Sequence, residues 1–392
     1  MALPQWYCDF TNGNDTTGVG TSGNPWKTVA GSLLNIQNAT NGGTGQGASG
    51  DQLNMKAGGT DLLAAVLPLT TYVPSATKPL IIRGYTSAAN DGGIGDLSGN
   101  ASVGIVSFTG AGLHLRDLHL HNCGAANIIT VNTTAGNTVD HCEVDTTTGS
   151  GISNVIGSLV INSYLHDIGT GMVVNGGPVM FNRFETLTKN PTSVISANNI
   201  LACNTIAITG SALATVGINF ANANTHCFGN SLWSNGGKTN AGIQPSASTR
   251  TGCSIFSNIV EGWSGTGGKG IIDNAAPLSI EGNNFLFNNA TATSFTVANG
   301  GPIIQIAADT TTGSSNFNNP TGSPPDLSLS AAGITACKGK AYPGAWVGGT
   351  GFSTASPFTS YPDAGAVQHQ DAGGGGTNLN RASYPSGVSP VG

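Results

Sequence analysis

Charge is what this chain has least of, and the shortage excludes more than any motif does. Asp, Glu, Lys and Arg make up 8% of 392 residues, against about 25% in a typical soluble domain. Lys and Glu, the usual solvated surface of helices, are scarce, and clear amphipathic helices are nearly absent. The formal charge of −6 is thinly spread, and the 13 basic residues form no patch. Nucleic-acid binding, which needs a concentrated positive footprint, is therefore not expected. No apolar run reaches the length that spans a bilayer. The opening MALPQWYCDF has neither a charged nor an apolar leader region, so no signal peptide is read there. Seven cysteines at irregular spacing, with no C-x-x-C pair, exclude a disulfide framework. Cys142, Cys203, Cys227 and Cys253 sit inside apolar strands, where they serve as small hydrophobes.

Glycine (59 residues), asparagine and threonine dominate instead. A surface of Thr, Ser, Asn and Gly suits β-coils joined by polar turns. A short cassette of apolar residue, spacer, asparagine, spacer, apolar residue recurs six times. Its asparagines are Asn162, Asn182, Asn204, Asn230, Asn258 and Asn283, at gaps of 20, 22, 26, 28 and 25 residues. A period in the twenties with strand-like content marks a solenoid. Each coil is too small to bury its own apolar face, so coils stack and share one core. An asparagine at the same place in every coil is expected to bond its amide to the coils above and below, as an asparagine ladder.

The pattern predicts an all-β fold, a single right-handed parallel β-helix of eight to ten coils with a short N-terminal capping helix. Residues 1–60 read as an opening module and cap. In it a helix opens near Pro25, with Trp26, Val29, Leu33 and Leu34 on one face. Residues 61–330 read as the coil stack. Within it LHLRDLHLH places Leu113, Leu115, Leu118 and Leu120 in two short strands broken at Arg116–Asp117. Residues 331–370 read as a closing segment. Residues 371–392 are a Gly/Pro-rich tail without apolar pattern, expected to be ordered only against a neighbouring surface.

The opening resembles the start of the pectate-lyase-like right-handed parallel β-helix superfamily. The matching residues are Gly13, Asn14 and Asp15, then Pro25, Trp26, Lys27 and Thr28, then Gly50 and Asp51. PLIIRGY (79–85), DLSLS (326–330) and DAGAVQ (363–368) are similar to later landmarks of that superfamily, so the resemblance covers nearly the whole chain. It implies that Asp15 and Lys27 are structural. It is specific for fold and poor for function, because the superfamily spans polysaccharide lyases, glycoside hydrolases, epimerases, bacteriophage tailspikes and virion decoration proteins.

The one concentration of charge runs from Arg116 to Glu185. Aligning the coils puts His121, Asp145 and His166 at similar positions, and Glu143 beside His119 and Tyr164. The candidate catalytic residues are therefore Glu143, Asp145, His166 and Glu185, with Asp140, Asp167 and Arg183 nearby. Glycosidases need two carboxyls about 5–9.5 Å apart, and neighbouring coils about 4.8 Å apart bring such pairs within reach. The same residues also fit outward-facing polar groups that merely satisfy one another. Tyr164, Phe184 and Trp233 fit either a sugar-binding face or coil packing. No metal ligand set or cofactor is read from the sequence; a lyase would bring Ca²⁺, held by oxygen ligands.

Two functions remain. The first is a bacteriophage virion structural protein, a capsid decoration or tailspike-like surface component. It would be a homotrimer partnered by other virion proteins and a glycan. The second is a secreted, extracellular polysaccharide lyase or glycoside hydrolase acting on an acidic polysaccharide.

Overall fold

The structure, a computed structural model, describes residues 3–337 apart from 132–135, 154–157, 187–192, 198, 213, 221–222, 246–251, 273–279, 295–303, 308 and 324. The closing motif at 363–368 and the tail at 371–392 lie outside the described residues. The fold is all-β, a parallel β-helix with one helix near each end of the described chain. It divides into two compact units, with the border between Gly177 and Pro178.

In unit 1 the first sheet stacks Gln5–Cys8, Asp51–Lys56, Leu80–Tyr85, Leu113–Arg116, Thr138–Asp140 and Leu159–Ile161, all in parallel. The second stacks Thr60–Leu62, Gly95–Ser98, Leu118–His121, Glu143–Val144 and Tyr164–His166. The third stacks Val106–Phe108, Ile129–Val131, Ile152–Ser153 and Gly171–Gly176. Alternation decides which side chains point inward: Leu113, Leu115, Leu118 and Leu120 are buried while His114, His119 and His121 are half-buried. The break between the two leucine strands is a single left-handed residue, Asp117 at φ 52°. His141 (φ 55°) and Asn162 (φ 51°) make the same bend in the next two coils.

The capping helix is Val29–Gln37, and it packs on the first two strands of the stack. Thr28 caps it, its hydroxyl oxygen accepting from Gly31 N at 2.9 Å. Asp15 fixes the entry, accepting from Lys27 N (2.7 Å), Thr28 N (3.0 Å) and Thr28 Oγ1 (2.7 Å). A Cβ on Gly31 would stand 2.3 Å from the Asp15 carboxyl carbon, so a side chain here would displace the carboxylate that fixes the entry. The buried face is Val29, Leu33 and Ile36; Leu34 is exposed, and Trp26 is buried ahead of the helix. The sequence reading put Leu34 on the inner face because it started the helix at Pro25. Trp26 lies outside the helix, and Ile36 rather than Leu34 completes the face of Val29 and Leu33, so Leu34 points outward.

In unit 2 the bend residues are Phe181, Cys203, Gly229, Ser257 and Asn283, all at positive φ. Directly after each comes a buried asparagine: Asn182, Asn204, Asn230, Asn258 and Asn284. Each amide nitrogen donates to the next oxygen, at 3.2, 3.0, 2.9 and 3.0 Å, and Asn284 passes the chain to Asp309 Oδ1 at 3.0 Å. Every such oxygen also accepts the backbone N–H of the asparagine one coil earlier. Two of the six cassette asparagines stand one residue off this stack. Asn283 is the bend residue, and its neighbour Asn284 makes the inward bonds. Asn162 is likewise a bend residue, its amide donating to Asp140 Oδ1 at 3.0 Å. Ser163 follows it and accepts Cys142 N at 3.2 Å.

The stack ends beside a second buried acid. Glu281 accepts from Asn284 Nδ2 at 3.1 Å. Burial, reinforced by the Asp309 charge, pushes its carboxyl up to about 9. The folded chain thus holds a proton that the unfolded chain releases near 4.5. Stability attached to this proton is present below the unfolded value and falls as pH rises toward 9. Glu281→Gln, which imitates the protonated acid, is expected to stabilise unit 2 by about 1–2 kcal/mol at pH 8.5 and by nothing at pH 4. Urea unfolding at the two pH values checks this.

The last described segment covers unit 2. An antiparallel hairpin, Phe317–Asn319 with Asp326–Leu329, leads into the helix Ala331–Cys337. Phe317, Leu327, Leu329 and Cys337 pack on Ala207, Trp233, Ile259 and Phe285, the outward side chains of unit 2's second sheet. Trp233 is therefore packing under this cover, and Phe184 is core; neither lines an open face. All seven cysteines are free and buried.

Candidate functional site

Unit 1 carries a different outward face on its second sheet. The register sets Asp96 opposite His119, His119 opposite Glu143, and Glu143 opposite Tyr164. One pleat further on, Ser98 stands opposite His121. Asp145 follows the strand Glu143–Val144, and His166 ends the strand Tyr164–His166. Four coils thus deliver three histidines and three carboxylates to one small patch, because alternate residues of parallel in-register strands share a face.

The patch is knit tightly. His119 lies between two acids, Nδ1 at 3.3 Å from Asp96 Oδ1 and Nε2 at 3.2 Å from Asp145 Oδ2. His121 Nε2 is 2.9 Å from Asp96 Oδ1. His166 Nε2 stands between Glu143 Oε1 (3.1 Å) and Asp145 Oδ2 (3.3 Å), while its Nδ1 meets Asp167 Oδ2 at 3.2 Å. The rings of His119 and His121 stack at 4.2 Å, and those of Tyr164 and His166 at 4.4 Å.

Burial alone would pull the two central imidazoles down. The hydrogen bond to Asp145, the close Asp96 carboxylate and the charge of Glu143 override it and lift His119 to about 10. His166 is likewise lowered by burial but raised more by Asp167, Glu143 and Asp145, reaching about 9. Both are therefore imidazolium at neutral pH. Burial raises Asp145, but its histidine partners hold it below the usual carboxylate range, and Asp96 is held low in the same way. The patch is an alternation of fixed opposite charges at the protein surface, with side chains 11–28% exposed.

Of the sequence candidates, Glu143, Asp145 and His166 meet here. Glu185 belongs to unit 2, on the strand Arg183–Thr186, where it is buried and bound by the Arg183 guanidinium. Asp140 joins another network with Arg116 and Asn162, next to the Asp117 carboxylate shared by Arg83 and His141. Sequence reading missed Asp96 and gave His119 no role of its own. The strand Gly95–Ser98 has one apolar residue, Leu97, so only its pairing with Leu118–His121 reveals where Asp96 stands.

Fold and site together define a parallel β-helix protein with a histidine–carboxylate cluster on one sheet face. No known family model matches the chain, and no curated protein matches it. Among solved structures it is similar to a GH136 lacto-N-biosidase from Eubacterium ramulus. The identity is 10%, over 79% of this chain and 67% of that one, with a TM-score of 0.36.

Proposed function

We propose that this protein is a polysaccharide-cleaving β-helix enzyme with its reaction centre at Glu143, Asp145 and His166. The observation that carries the reading is the shared imidazole, whose Nε2 faces both Glu143 Oε1 at 3.1 Å and Asp145 Oδ2 at 3.3 Å. Two carboxylates converging on one proton carrier supply what glycoside hydrolysis needs: an ionised group beside the anomeric carbon and a proton for the departing oxygen. One carboxylate oxygen of Glu143 and one of Asp145 lie within 4.8 Å of each other, a closeness that suits the paired carboxyls of a retaining reaction. Asp145, held ionised, is the nucleophile in this reading. Glu143 and His166 hold the proton that goes to the leaving sugar. The His166 imidazolium gives the site a cation for the carboxylate of an acidic sugar, in a chain otherwise poor in charge.

The wild type is expected to shorten a uronate-containing polysaccharide, and Glu143→Gln to lose at least about 100-fold of that rate. Its melting temperature should change little, because Gln keeps one acceptor for His166. Reducing-end release across a panel of acidic polysaccharides measures the activity. New ends carrying an unsaturated uronate would reassign the reaction to elimination, and an intact panel would overturn the proposal.

A second reading follows from the buried amide stack and the scarcity of charge, which suit a rigid, protease-resistant surface component of a bacteriophage virion. In that case the patch holds a glycan without cutting it. Electron microscopy of the native source tests it: a symmetric protrusion on a particle supports the virion reading, and a free protein excludes it.

A further inference from the structure

The cluster has a second half that the proposed chemistry leaves unused, and its geometry is that of a metal site. Asp96 Oδ1 and His121 Nε2 are 2.9 Å apart. Both atoms are buried, and neither makes a hydrogen bond of acceptable geometry. Two buried polar atoms this close, with no hydrogen bond of their own, are placed to share a third partner. His119 Nδ1 lies 3.3 Å from the same Asp96 oxygen, and all three atoms fall within a 4.8 Å group.

We infer that Asp96, His119 and His121 form a binding site for a divalent transition-metal ion. With ligand bonds of about 2.05 Å, separations of 2.9 and 3.3 Å subtend roughly 90° and 107° at a common centre. Both lie in the range of octahedral and tetrahedral coordination. Two imidazoles and one carboxylate on one side leave open positions for water or for a sugar hydroxyl.

The outer partners are those such a site requires. His119 presents Nδ1 to the ion while Nε2 donates to Asp145 Oδ2 at 3.2 Å, so one carboxylate fixes the tautomer and the ring plane. Thr60 Oγ1 donates to Asp96 Oδ2, the carboxylate oxygen turned away from the histidines. The rings of His119 and His121 stack at 4.2 Å, and a tilt of one against the other would bring both nitrogens onto one ion. The nitrogen ligands select against Ca²⁺, which takes six to eight oxygens, and so against the ion that a lyase of this fold class would be expected to hold. The inference stands on these residues alone, whether or not Glu143 and Asp145 cleave a glycan.

The test uses the full chain, untagged and stripped with a chelator. Zn²⁺ is titrated calorimetrically, and Co²⁺ is followed by its visible absorption. One Zn²⁺ per chain is expected, with a Co²⁺ spectrum of nitrogen and oxygen ligation and no competition from millimolar Ca²⁺. His121→Ala and Asp96→Asn should each weaken Zn²⁺ at least 100-fold. Their metal-free melting temperatures give the folding control. Saturating Zn²⁺ should raise the wild-type melting temperature and leave that of His121→Ala unmoved, a readout independent of catalysis. No stoichiometric Zn²⁺ binding by the wild type, or undiminished affinity in both variants, would overturn the assignment.

Discussion

Asn230→Ala is expected to destabilise unit 2 by about 3–5 kcal/mol, among the largest losses any single side chain here should produce. The side chain is fully buried. Its oxygen accepts from Asn204 N and Asn204 Nδ2, each at 3.0 Å. Its amide donates to Asn258 Oδ1 at 2.9 Å, Leu201 O at 2.8 Å and Phe228 O at 3.1 Å. Alanine leaves the Asn204 backbone N–H without its acceptor in a dry interior, where an orphaned polar group costs about 1–3 kcal/mol. It also removes one link from a chain of amides that polarise one another. Asn283→Ala supplies the contrast. That residue sits at the bend with φ 59°, its amide donating to Ser257 Oγ at 3.3 Å. Its loss should cost about 1 kcal/mol, mostly for placing alanine in left-handed backbone. Urea unfolding of the two variants separates an inner stack position from a bend position. Equal losses would mean that the amide stack adds nothing beyond the bends.

This pair also shows how far the sequence was legible. The period in the twenties and the alternating leucines of 113–121 identify the coils, because a parallel stack repeats whatever its bend requires. The bend itself is harder to read. It is occupied by Asp117, His141, Asn162, Phe181, Cys203, Gly229, Ser257 and Asn283, residues with no shared chemistry beyond tolerating or being forced into one conformation. An asparagine therefore scores as a cassette member whether it bends the chain or bonds inward, and in the doublet Asn283–Asn284 the wrong one is easily taken. The patch in unit 1 was partly visible, since Glu143 follows His119 by one coil. Asp96 was not, because its strand lacks the apolar alternation that sets register. Nor does sequence show that unit 2 buries its outward side chains under Phe317 and Leu327 while unit 1 gives the equivalent face to histidines and acids.

Raising the pH from 6.5 to 10 in the presence of a chelator is expected to remove about 2–4 kcal/mol from unit 1. His119 at about 10 and His166 at about 9 both lie above the ordinary imidazole value of 6.5. The folded chain therefore holds two protons that the unfolded chain gives up. Their stabilisation is complete below pH 6.5 and disappears as pH climbs through 9 and then 10. The two shifts do not add in full, because both histidines draw on Asp145 and titrate as a coupled group. Deprotonation leaves Asp96, Glu143 and Asp145 facing one another with neutral rings between them, and repulsion then loosens the strands that carry them. Glu281 adds a slope of the same sign, but it resides in unit 2. Hydrogen exchange in Leu118–His121 and Tyr164–His166 isolates the unit 1 contribution. Asp145→Asn removes the acid common to both imidazoles, so its protection factors should fall less steeply between pH 7 and 10 than those of the wild type. Identical slopes would show that the histidines are neutral in the native protein, and the cationic sugar-carboxylate subsite would lose its physical basis.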